Sequence, residues 1–287
     1  MCHVEAVRAA VFDFDMTVAQ TFSPSPSGLG VNEAYDLAVS QVLGSAGQEH
    51  FRRQGLMNRA PTELAKGLLD SVEREAMLAF ARRYLHDNAE SLLGLVPENK
   101  GLALEWNDDD PLLVIGEMLA RVKLKALSDE IGHRAGVHWP GACEGVLEFM
   151  DELHKRKVPM AIISSGHELF IEKTFNLWGR EAPVMLTDDD LRGLTSVEMH
   201  MRMKPHPFLF DYLLSKWAAV EKGVAEFVDR STTFFFGDDM VKDGGLAANA
   251  GLLFGWYDPS GGKHSRLSET RMRFRHWNEL TACLQNA

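Results

Sequence analysis

Short apolar runs that end in polar residues recur along the chain and predict the strands of a sheet. They occupy residues 8–14, 158–166, 182–187, 231–237 and 251–257. Runs of this length, flanked by turn residues, are typical of strands buried on both faces of a parallel sheet. Between the later runs, apolar positions at three- and four-residue steps predict helices at 168–177, about 206–218 and 244–250. Because strands alternate with helices, we predict an α/β fold.

The segment between the first two runs follows a different pattern. It opens with SPSPSGLG at residues 23–30, whose Ser, Pro and Gly content is typical of a hinge or linker. Apolar residues at helical steps then predict helices at 31–43, 62–70, 72–87 and about 110–127. We therefore predict one α/β domain, formed by residues 1–20 and 137–287, and an all-helical domain inserted at 21–136.

Composition and charge restrict the class of partner. The chain has 287 residues, of which 45% are hydrophobic and 25% charged, as in folded proteins. Its formal net charge of −11 argues against nucleic acid and against an anionic membrane surface as partners. A small anionic substrate remains compatible, because a local basic pocket can form within an acidic protein. We expect the protein to act as a monomer or a homodimer.

The N-terminal residues and the cysteines indicate a reducing compartment. The first ten residues, MCHVEAVRAA, contain Glu5 and Arg8 and lack the apolar core of a signal peptide. No stretch of about 18 apolar residues is present, so no transmembrane segment is expected. Three widely spaced cysteines make a disulfide framework or a thiolate zinc site unexpected. We therefore expect a cytoplasmic protein.

Residues suited to catalysis follow the predicted strands. Asp13 and Asp15 end the first run, Ser164-Ser165-Gly166 ends the second, and Asp238, Asp239 and Asp243 follow the fourth. Lys204 precedes the helix predicted at about 206. Parallel sheets of this kind form their sites beyond the carboxyl ends of the strands, so we expect these side chains to lie together.

The chemistry of this set points to a metal ion and a phosphoryl group. Asp13 and Asp15 repel each other unless water, a basic side chain or a cation offsets their charge. Several carboxylates in one place are the donors that Mg²⁺ requires. A lysine and a hydroxyl beside the metal suit a transferring phosphoryl group, and a carboxylate that is free of the metal can attack phosphorus.

Four segments together resemble the motifs of the haloacid dehalogenase-like (HAD) superfamily. In order, they are DFDMT at 13–17, AIIS at 161–164, KPHP at 204–207 and FFFGDDMVKD at 234–243. The resemblance implies a Rossmann-like, doubly wound parallel sheet core. It also implies a helical cap domain in the insertion between the first and second motifs, where 151 positions separate Asp13 from Ser164.

The resemblance implies a role for each matched residue of the first and third motifs. Asp13 would be the nucleophile that takes the phosphoryl group. Asp15 would first protonate the leaving oxygen and then activate water, with its backbone carbonyl facing the metal. Thr17 would fix the loop, and Lys204 would neutralise charge on the phosphorylated aspartate.

The second and fourth motifs would supply phosphate and metal contacts. The resemblance implies that Ser164, with Ser165 and Gly166, binds phosphate oxygens. Asp238 would be a Mg²⁺ ligand together with Asp13 and Asp15. Asp243 would be a second carboxylate at the metal or would orient its shell, and Asp239 could compete with Asp243 for that role.

These roles predict a Mg²⁺-dependent phosphatase that acts on a small phosphorylated metabolite through an aspartyl-phosphate. Asp15 favours phosphoryl chemistry, since the dehalogenases of the superfamily lack this residue. The alternatives are a phosphomutase or a phosphonate hydrolase on the same core, and a non-catalytic binding or regulatory protein. In the cap, Arg59 is a candidate contact to a second anionic group of the substrate.

Met16 argues against this interpretation, and two other groups of residues are assigned no role in the site. Met16 stands where the superfamily usually has glycine or another small residue, and a bulky side chain there could crowd the phosphate loop. Asp188-Asp189-Asp190 is a run of carboxylates that we expect to form a solvated loop. The eleven histidines show no spacing that indicates a zinc site.

Overall fold

The chain forms two compact units in the computed structural model. Met1–Gln20 and Pro140–Ala287 make up the first, called here the core unit, and Thr21–Trp139 the second. The structure describes residues 3–21, 74–87, 111, 114, 115, 118, 139–192, 194, 196–224, 228–261 and 265–286. The predicted helices at 31–43 and 62–70, and Arg59, lie outside these residues.

In the second unit, one long helix is described in full. It is α1, Arg74–Asp87, and it falls within the helix predicted at 72–87. Leu78, Ala81 and Leu85 are its buried residues. Their spacing of three and four residues places them on one face of the helix, as expected for an amphipathic segment.

The core unit consists of one sheet with helices on both faces. Its strands are β1 (Ala9–Phe12), β2 (Met160–Ile163), β3 (Val184–Leu186), β4 (Thr233–Gly237), β5 (Leu253–Tyr257), β6 (Ser265–Arg266) and β7 (Arg271–Phe274). Its helices are α2 (Val146–Lys155), α3 (Glu168–Leu177), α4 (Asp188–Arg192), α5 (Phe208–Val220), α6 (Asp243–Ala250) and α7 (Trp277–Gln285). This arrangement confirms the predicted α/β, Rossmann-like core.

The strand order is β3-β2-β1-β4-β5-β7-β6. All neighbouring strands are parallel except β6 and β7, which are antiparallel. β1 therefore lies in the middle of the sheet, and Phe12 pairs with Ile162 on one side and Phe236 on the other. The chain leaves β1 and crosses to β2 in one direction, and it later crosses from β3 to β4 in the other. The ends of β1 and β4 are adjacent at this switch point, where such sheets form their sites.

Alternation along the central strands separates two hydrophobic layers. Val11 of β1 and Phe235 of β4 belong to a buried cluster that also contains residues of α5 and α6. Phe12 and Phe236 point to the opposite face, because successive strand residues alternate. There Phe12 stacks on Phe236 with ring centroids 5.3 Å apart. The central strands are therefore held from both sides, which fixes the positions of the residues that follow them.

Two expectations from the sequence are wrong. Asp188-Asp189-Asp190 begins α4 and does not form a solvated loop, and the side chain of Asp189 is buried. Its carboxylate is satisfied by hydrogen bonds from a distant segment, which the local sequence does not reveal. Cys283 is disulfide-bonded, whereas Cys143 is free and buried. The sequence interpretation also missed β6, β7 and α7. No helix among the described residues is long and apolar enough to cross a membrane.

Trp277 of α7 is the centre of the aromatic layer, and its removal should destabilise the core unit. Its ring is fully buried and lies 4.7 Å from that of Phe274, 5.2 Å from Phe149 and 5.9 Å from Phe12, between centroids. We expect Trp277→Ala to lower the free energy of unfolding by about 3–5 kcal/mol, measured by urea denaturation followed by circular dichroism. Gln285→Ala, on the exposed end of the same helix, should change it by less than about 0.5 kcal/mol. Equal effects of the two variants would contradict this account of the layer.

Candidate active site

The first and fourth predicted strands bring their acidic residues to one place. Asp13 follows β1 directly, and its backbone N–H donates to the carbonyl of Phe236 at 2.8 Å. Asp238 follows β4, and Asp243 is the first residue of α6. One carboxylate oxygen from each of Asp13, Asp238 and Asp243 lies within 4.8 Å of the others. We call these three residues the carboxylate trio.

Lys204 bridges two members of the trio. Its Nζ lies 2.5 Å from Asp13 Oδ1 and 2.8 Å from Asp243 Oδ1. The lysine side chain is only 11% exposed, and its ammonium lies 5.3 Å from the centroid of the Phe235 ring. Burial lowers the pKa of Lys204, but attraction to Asp13 and Asp243 outweighs this effect, so the pKa ends above its usual value. The lysine is therefore a permanent positive charge in the site.

The segment that carries Lys204 is fixed to α6. Asn249 Nδ2 donates to the carbonyl of Pro205 at 2.9 Å. Pro205 also packs so closely on Gly245 that a Cβ at this position would lie 2.8 Å from the Cβ of the proline. Because α6 carries Asp243 as well, these contacts fix the lysine relative to its partner.

Gly237 allows the close packing of the trio against β4. A Cβ on this residue would lie 2.4–2.5 Å from the Cβ, Cγ and Oδ2 of Asp243. Real side chains do not approach each other this closely, so only glycine leaves room for the buried carboxylate. The glycine before Asp238 in the fourth motif thus has a steric role at the site.

Burial and mutual repulsion shift the pKa values of the trio. Burial raises the pKa of Asp13, Lys204 opposes the rise, and the Asp243 and Asp15 carboxylates add to it, which brings the pKa to about 8. Burial and the Asp243 carboxylate raise the pKa of Asp238 to about 6. Among the residues that the structure describes, Lys204 is the cation that contacts the trio, so one positive charge faces three carboxyl groups.

The structure places Asp243 in the trio, and Asp239 has different contacts. Asp239 Oδ1 accepts hydrogen bonds from the backbone N–H groups of Val241 at 2.8 Å and Lys242 at 3.0 Å. It therefore stabilises the turn before α6. Asp243 Oδ2 in turn accepts from the N–H of Asp239 at 3.1 Å. Lys242 occupies the N-cap position of α6, so Asp243 lies within the first turn of the helix.

The loop after β1 turns sharply at Met16. This residue has φ 59°, in the left-handed region that favours glycine. Its N–H donates to the carbonyl of Ala19 at 2.7 Å, and the Cys143 thiol donates to its carbonyl at 3.6 Å. The turn brings the buried Thr17 hydroxyl to 3.5 Å from Asp238 Oδ1. The preference of the first motif for a small residue here thus has a conformational reason.

The loop after β2 lies beside the half-buried Asp15. Ser164 is buried, and its Oγ accepts a hydrogen bond from the N–H of Gly166 at 2.9 Å. Asp15 Oδ2 would be 3.9 Å from a Cβ built on Gly166, so the two loops are adjacent. Ser165 is exposed to solvent. Gly166 is therefore adjacent to the Asp15 carboxylate, and Ser164 is tied to Gly166 through its hydroxyl.

Two residues that support the site, Trp256 and Cys143, have no signal in the local sequence. Trp256 of β5 donates its indole N–H to the carbonyl of Asp238 at 3.0 Å. Cys143 holds the Met16 turn from the start of the α2 segment, and burial raises the pKa of its thiol to about 12. Both residues are distant in sequence from their partners, so only the fold brings them together.

Comparison with known proteins identifies related chains. A family model described as haloacid dehalogenase-like hydrolase matches residues 7–251. No curated protein matches the chain. A 2-haloacid dehalogenase from Pseudomonas syringae pv. Tomato DC3000 is 18% identical over 98% of this chain and 99% of that chain, with a TM-score of 0.50. At this identity the similarity shows a shared fold alone.

Two further solved structures align over nearly the whole chain. A HAD phosphatase from Thermococcus onnurineus is 16% identical, covers 97% of this chain and 98% of that chain, and has a TM-score of 0.48. The HAD hydrolase YfnB from Bacillus subtilis, bound to magnesium, is 16% identical, covers 97% of this chain and 99% of that chain, and has a TM-score of 0.45.

The left-handed backbone at position 16 should determine which substitutions are tolerated there. Met16→Gly should leave the free energy of unfolding within about 1 kcal/mol of wild type, because relief of backbone strain offsets the greater freedom of the unfolded chain. Met16→Val should lower it by about 1–2 kcal/mol relative to Met16→Gly, since a β-branched side chain is strained at positive φ. Chemical denaturation measures both. Equal stability of the two variants would show that the turn is not left-handed in solution.

Gly237→Ala should displace the Asp243 carboxylate and weaken binding of a divalent cation to the trio. We expect the dissociation constant for Mg²⁺, measured by isothermal titration calorimetry, to rise at least about tenfold. Gly141→Ala is the matched control, because a Cβ on Gly141 meets no atom within 4 Å. Unchanged Mg²⁺ affinity in a folded Gly237→Ala protein would mean that Asp243 does not contribute to cation binding.

Proposed function

The chain belongs to the haloacid dehalogenase-like hydrolases, and we propose that within this family it is a Mg²⁺-dependent phosphatase that hydrolyses a small phosphorylated metabolite. The observation that carries the proposal is the carboxylate trio, of which Asp13 and Asp243 are buried, with Asp15 beside it. Asp13 serves as the nucleophile, and Asp15 serves as the acid and base. Displacement of a halide by a carboxylate needs neither a metal nor a proton donor, so this set of residues fits phosphoryl transfer better.

The donors of the trio fit a divalent metal ion. They are carboxylate oxygens within 4.8 Å of one another, and oxygen ligands with several negative charges are what Mg²⁺ binds. Asp238, Asp243 and one oxygen of Asp13 would hold the ion together with the backbone carbonyl of Asp15. When bound, the ion would supply Lewis-acid stabilisation of the negative charge on the phosphoryl oxygens. It would also favour the ionised form of Asp13, whose pKa is about 8 in its absence.

In the first half of the reaction, Asp13 attacks the substrate. A carboxylate oxygen of Asp13 forms a bond to phosphorus, and the bond from phosphorus to the ester oxygen breaks. Asp15 donates its proton to the departing oxygen, which leaves as an alcohol. Ser164 and Gly166 bind phosphoryl oxygens, while Lys204 stays paired with Asp243 and faces the acyl phosphate. Asp13 is now an aspartyl-phosphate.

In the second half, the aspartyl-phosphate is hydrolysed. Asp15, now a carboxylate, takes a proton from a water molecule as the water oxygen bonds to phosphorus. The bond from phosphorus to Asp13 breaks and inorganic phosphate leaves. Both aspartates return to their starting states, because Asp15 regains the proton that it gave up in the first step. Two neighbouring carboxyl groups thus perform nucleophilic and acid–base chemistry in turn.

Phosphate release from a panel of esters tests the proposal. We expect wild-type protein to release phosphate from at least one phosphorylated metabolite with Mg²⁺ and to lose this activity with EDTA. Asp13→Asn should reduce kcat at least about 1,000-fold. The panel includes a phosphonate, a sugar phosphate assayed for isomerised product and 2-chloropropionate assayed for chloride. Chloride release without phosphate release would contradict the proposal in favour of a dehalogenase.

A matched pair of variants tests the assignment of Asp243. Asp243→Asn should abolish Mg²⁺ stimulation, because it removes a charge from the trio. Asp239→Asn keeps an oxygen for the N–H groups of Val241 and Lys242, so its activity should stay within about tenfold of wild type. The opposite order of effects would transfer the metal role to Asp239.

A further inference from the structure

His167 and Asp189 form a buried polar pair next to the proposed phosphate loop. Their side chains are 3% and 2% exposed, and His167 Nδ1 lies 2.9 Å from Asp189 Oδ1. With Asp189 ionised, the carboxylate only accepts hydrogen bonds, and Nδ1 of the histidine is then the donor. Burying such a pair costs desolvation energy, so stability alone does not explain it.

The pair joins the segments that follow two neighbouring strands. His167 lies between β2 and α3, and Asp189 lies in α4, immediately after β3. The second oxygen of Asp189, Oδ2, accepts from the backbone N–H of Glu168 at 2.9 Å. The carbonyl of Gly166 accepts from the N–H of Asp188 at 3.4 Å. We call the Asp189 carboxylate, with its bonds to His167 and Glu168, the loop clamp.

The segment held by the clamp contains the proposed phosphate-binding groups. Ser164 is anchored on one side by its N–H, which donates to the carbonyl of Leu186 at 3.0 Å. The loop clamp anchors the other side at residues 167 and 168. Between the anchors, the Gly166 N–H donates to Ser164 Oγ at 2.9 Å, so the orientation of the hydroxyl depends on the path of this short loop. A shift of the loop would move Ser164 and Gly166 relative to Asp15.

We propose that His167 and Asp189 are positioning residues for phosphate recognition, and that they act through Ser164 and Gly166. This inference rests on the proposed phosphatase function. The carboxylate holds the loop from the outer strand, so that the Ser164 hydroxyl meets the phosphoryl oxygens without reorganisation when substrate binds. Preorganised donors of this kind are more effective than donors that must first be ordered.

Asp190 provides a matched control on the same helical turn. Its Oδ2 accepts from the Thr187 N–H at 2.9 Å, and its Oδ1 accepts from Lys216 Nζ at 2.8 Å. These bonds hold α4 to β3 and α5 and do not involve residues 164–168. Asp190→Asn therefore perturbs the bonds of this turn to Thr187 and Lys216 and keeps the Asp189 carboxylate of the loop clamp.

The first measurement compares phosphate affinity in the variants. We expect Asp189→Asn and His167→Leu to raise both KM for the best ester and the inhibition constant of inorganic phosphate roughly ten- to hundredfold, with a smaller change in kcat. His167→Asn keeps an N–H donor at the Nδ1 position and should restore affinity to within about threefold of wild type. Asp190→Asn should leave affinity unchanged. Equal losses in Asp189→Asn and Asp190→Asn would overturn the proposal.

The second measurement asks whether the clamp acts through Ser164. In a Ser164→Ala background, Asp189→Asn should change the inhibition constant of phosphate by a smaller factor than in the wild-type background, because one of the two groups that it positions is already absent. Effects of the two substitutions that multiply would show that Asp189 acts independently of Ser164, and the proposal would then be wrong. Circular dichroism and thermal unfolding ensure that only folded variants are compared.

Amide hydrogen exchange separates this proposal from the proposed function. Peptides covering residues 164–168 should exchange faster in Asp189→Asn than in wild type and at the wild-type rate in Asp190→Asn. This expectation does not depend on which substrate the enzyme uses. If wild-type protein hydrolyses no phosphate ester, the proposed function fails and the phosphate role of the clamp fails with it. Unchanged exchange in an Asp189→Asn protein that still hydrolyses esters would overturn the clamp alone.

Discussion

The repulsion within a cluster of three carboxylates, two of them buried, is the constraint on which the core unit depends. Asp13, Asp238 and Asp243 meet at the switch point of the sheet, and Lys204 contacts only two of them directly. Neighbouring residues make the close packing of this cluster possible. The glycine at 237 gives the cluster room, and the contacts of Pro205 with α6 fix the lysine. Such a site is held together by covalent connection to rigid strands and not by its own energy, because like charges in a buried place destabilise the fold.

The alternation of side chains along the central strands explains how one sheet holds both a repulsive carboxylate cluster and a stable hydrophobic core. The residues of β1 and β4 that face α5 and α6 are small or aliphatic except for Phe235, whereas Phe12 and Phe236 join the opposite aromatic layer. Dense packing on both faces leaves the strand ends little freedom. The backbone positions of Asp13 and Asp238 are fixed as well, because each residue directly follows one of these strands. The electrostatic cost at the edge is thus offset by hydrophobic burial in the middle of the sheet.

Sequence patterns predicted the parts of the structure that local physics determines. The apolar runs located β1 to β5, and the order of the motifs brought Asp13, Lys204 and Asp243 into one set. The sequence could not distinguish Asp239 from Asp243, because both follow β4 closely and the choice depends on where the turn before α6 directs each side chain. It also misjudged Asp189, whose partner His167 is 22 positions away. The short, polar β6 has too weak a pattern to be recognised without its partner β7.

The double bridge made by Lys204 has a consequence for the valence of the site. With the trio fully ionised, three negative charges stand against one ammonium, and a formal charge of two remains. A divalent cation restores neutrality, whereas a monovalent ion leaves an excess negative charge and a trivalent ion leaves an excess positive one. For the metal ion proposed above, charge balance with Lys204 would therefore favour a divalent ion. Because Lys204 neutralises the charge of one carboxylate, two negative charges remain for the proposed ion to balance.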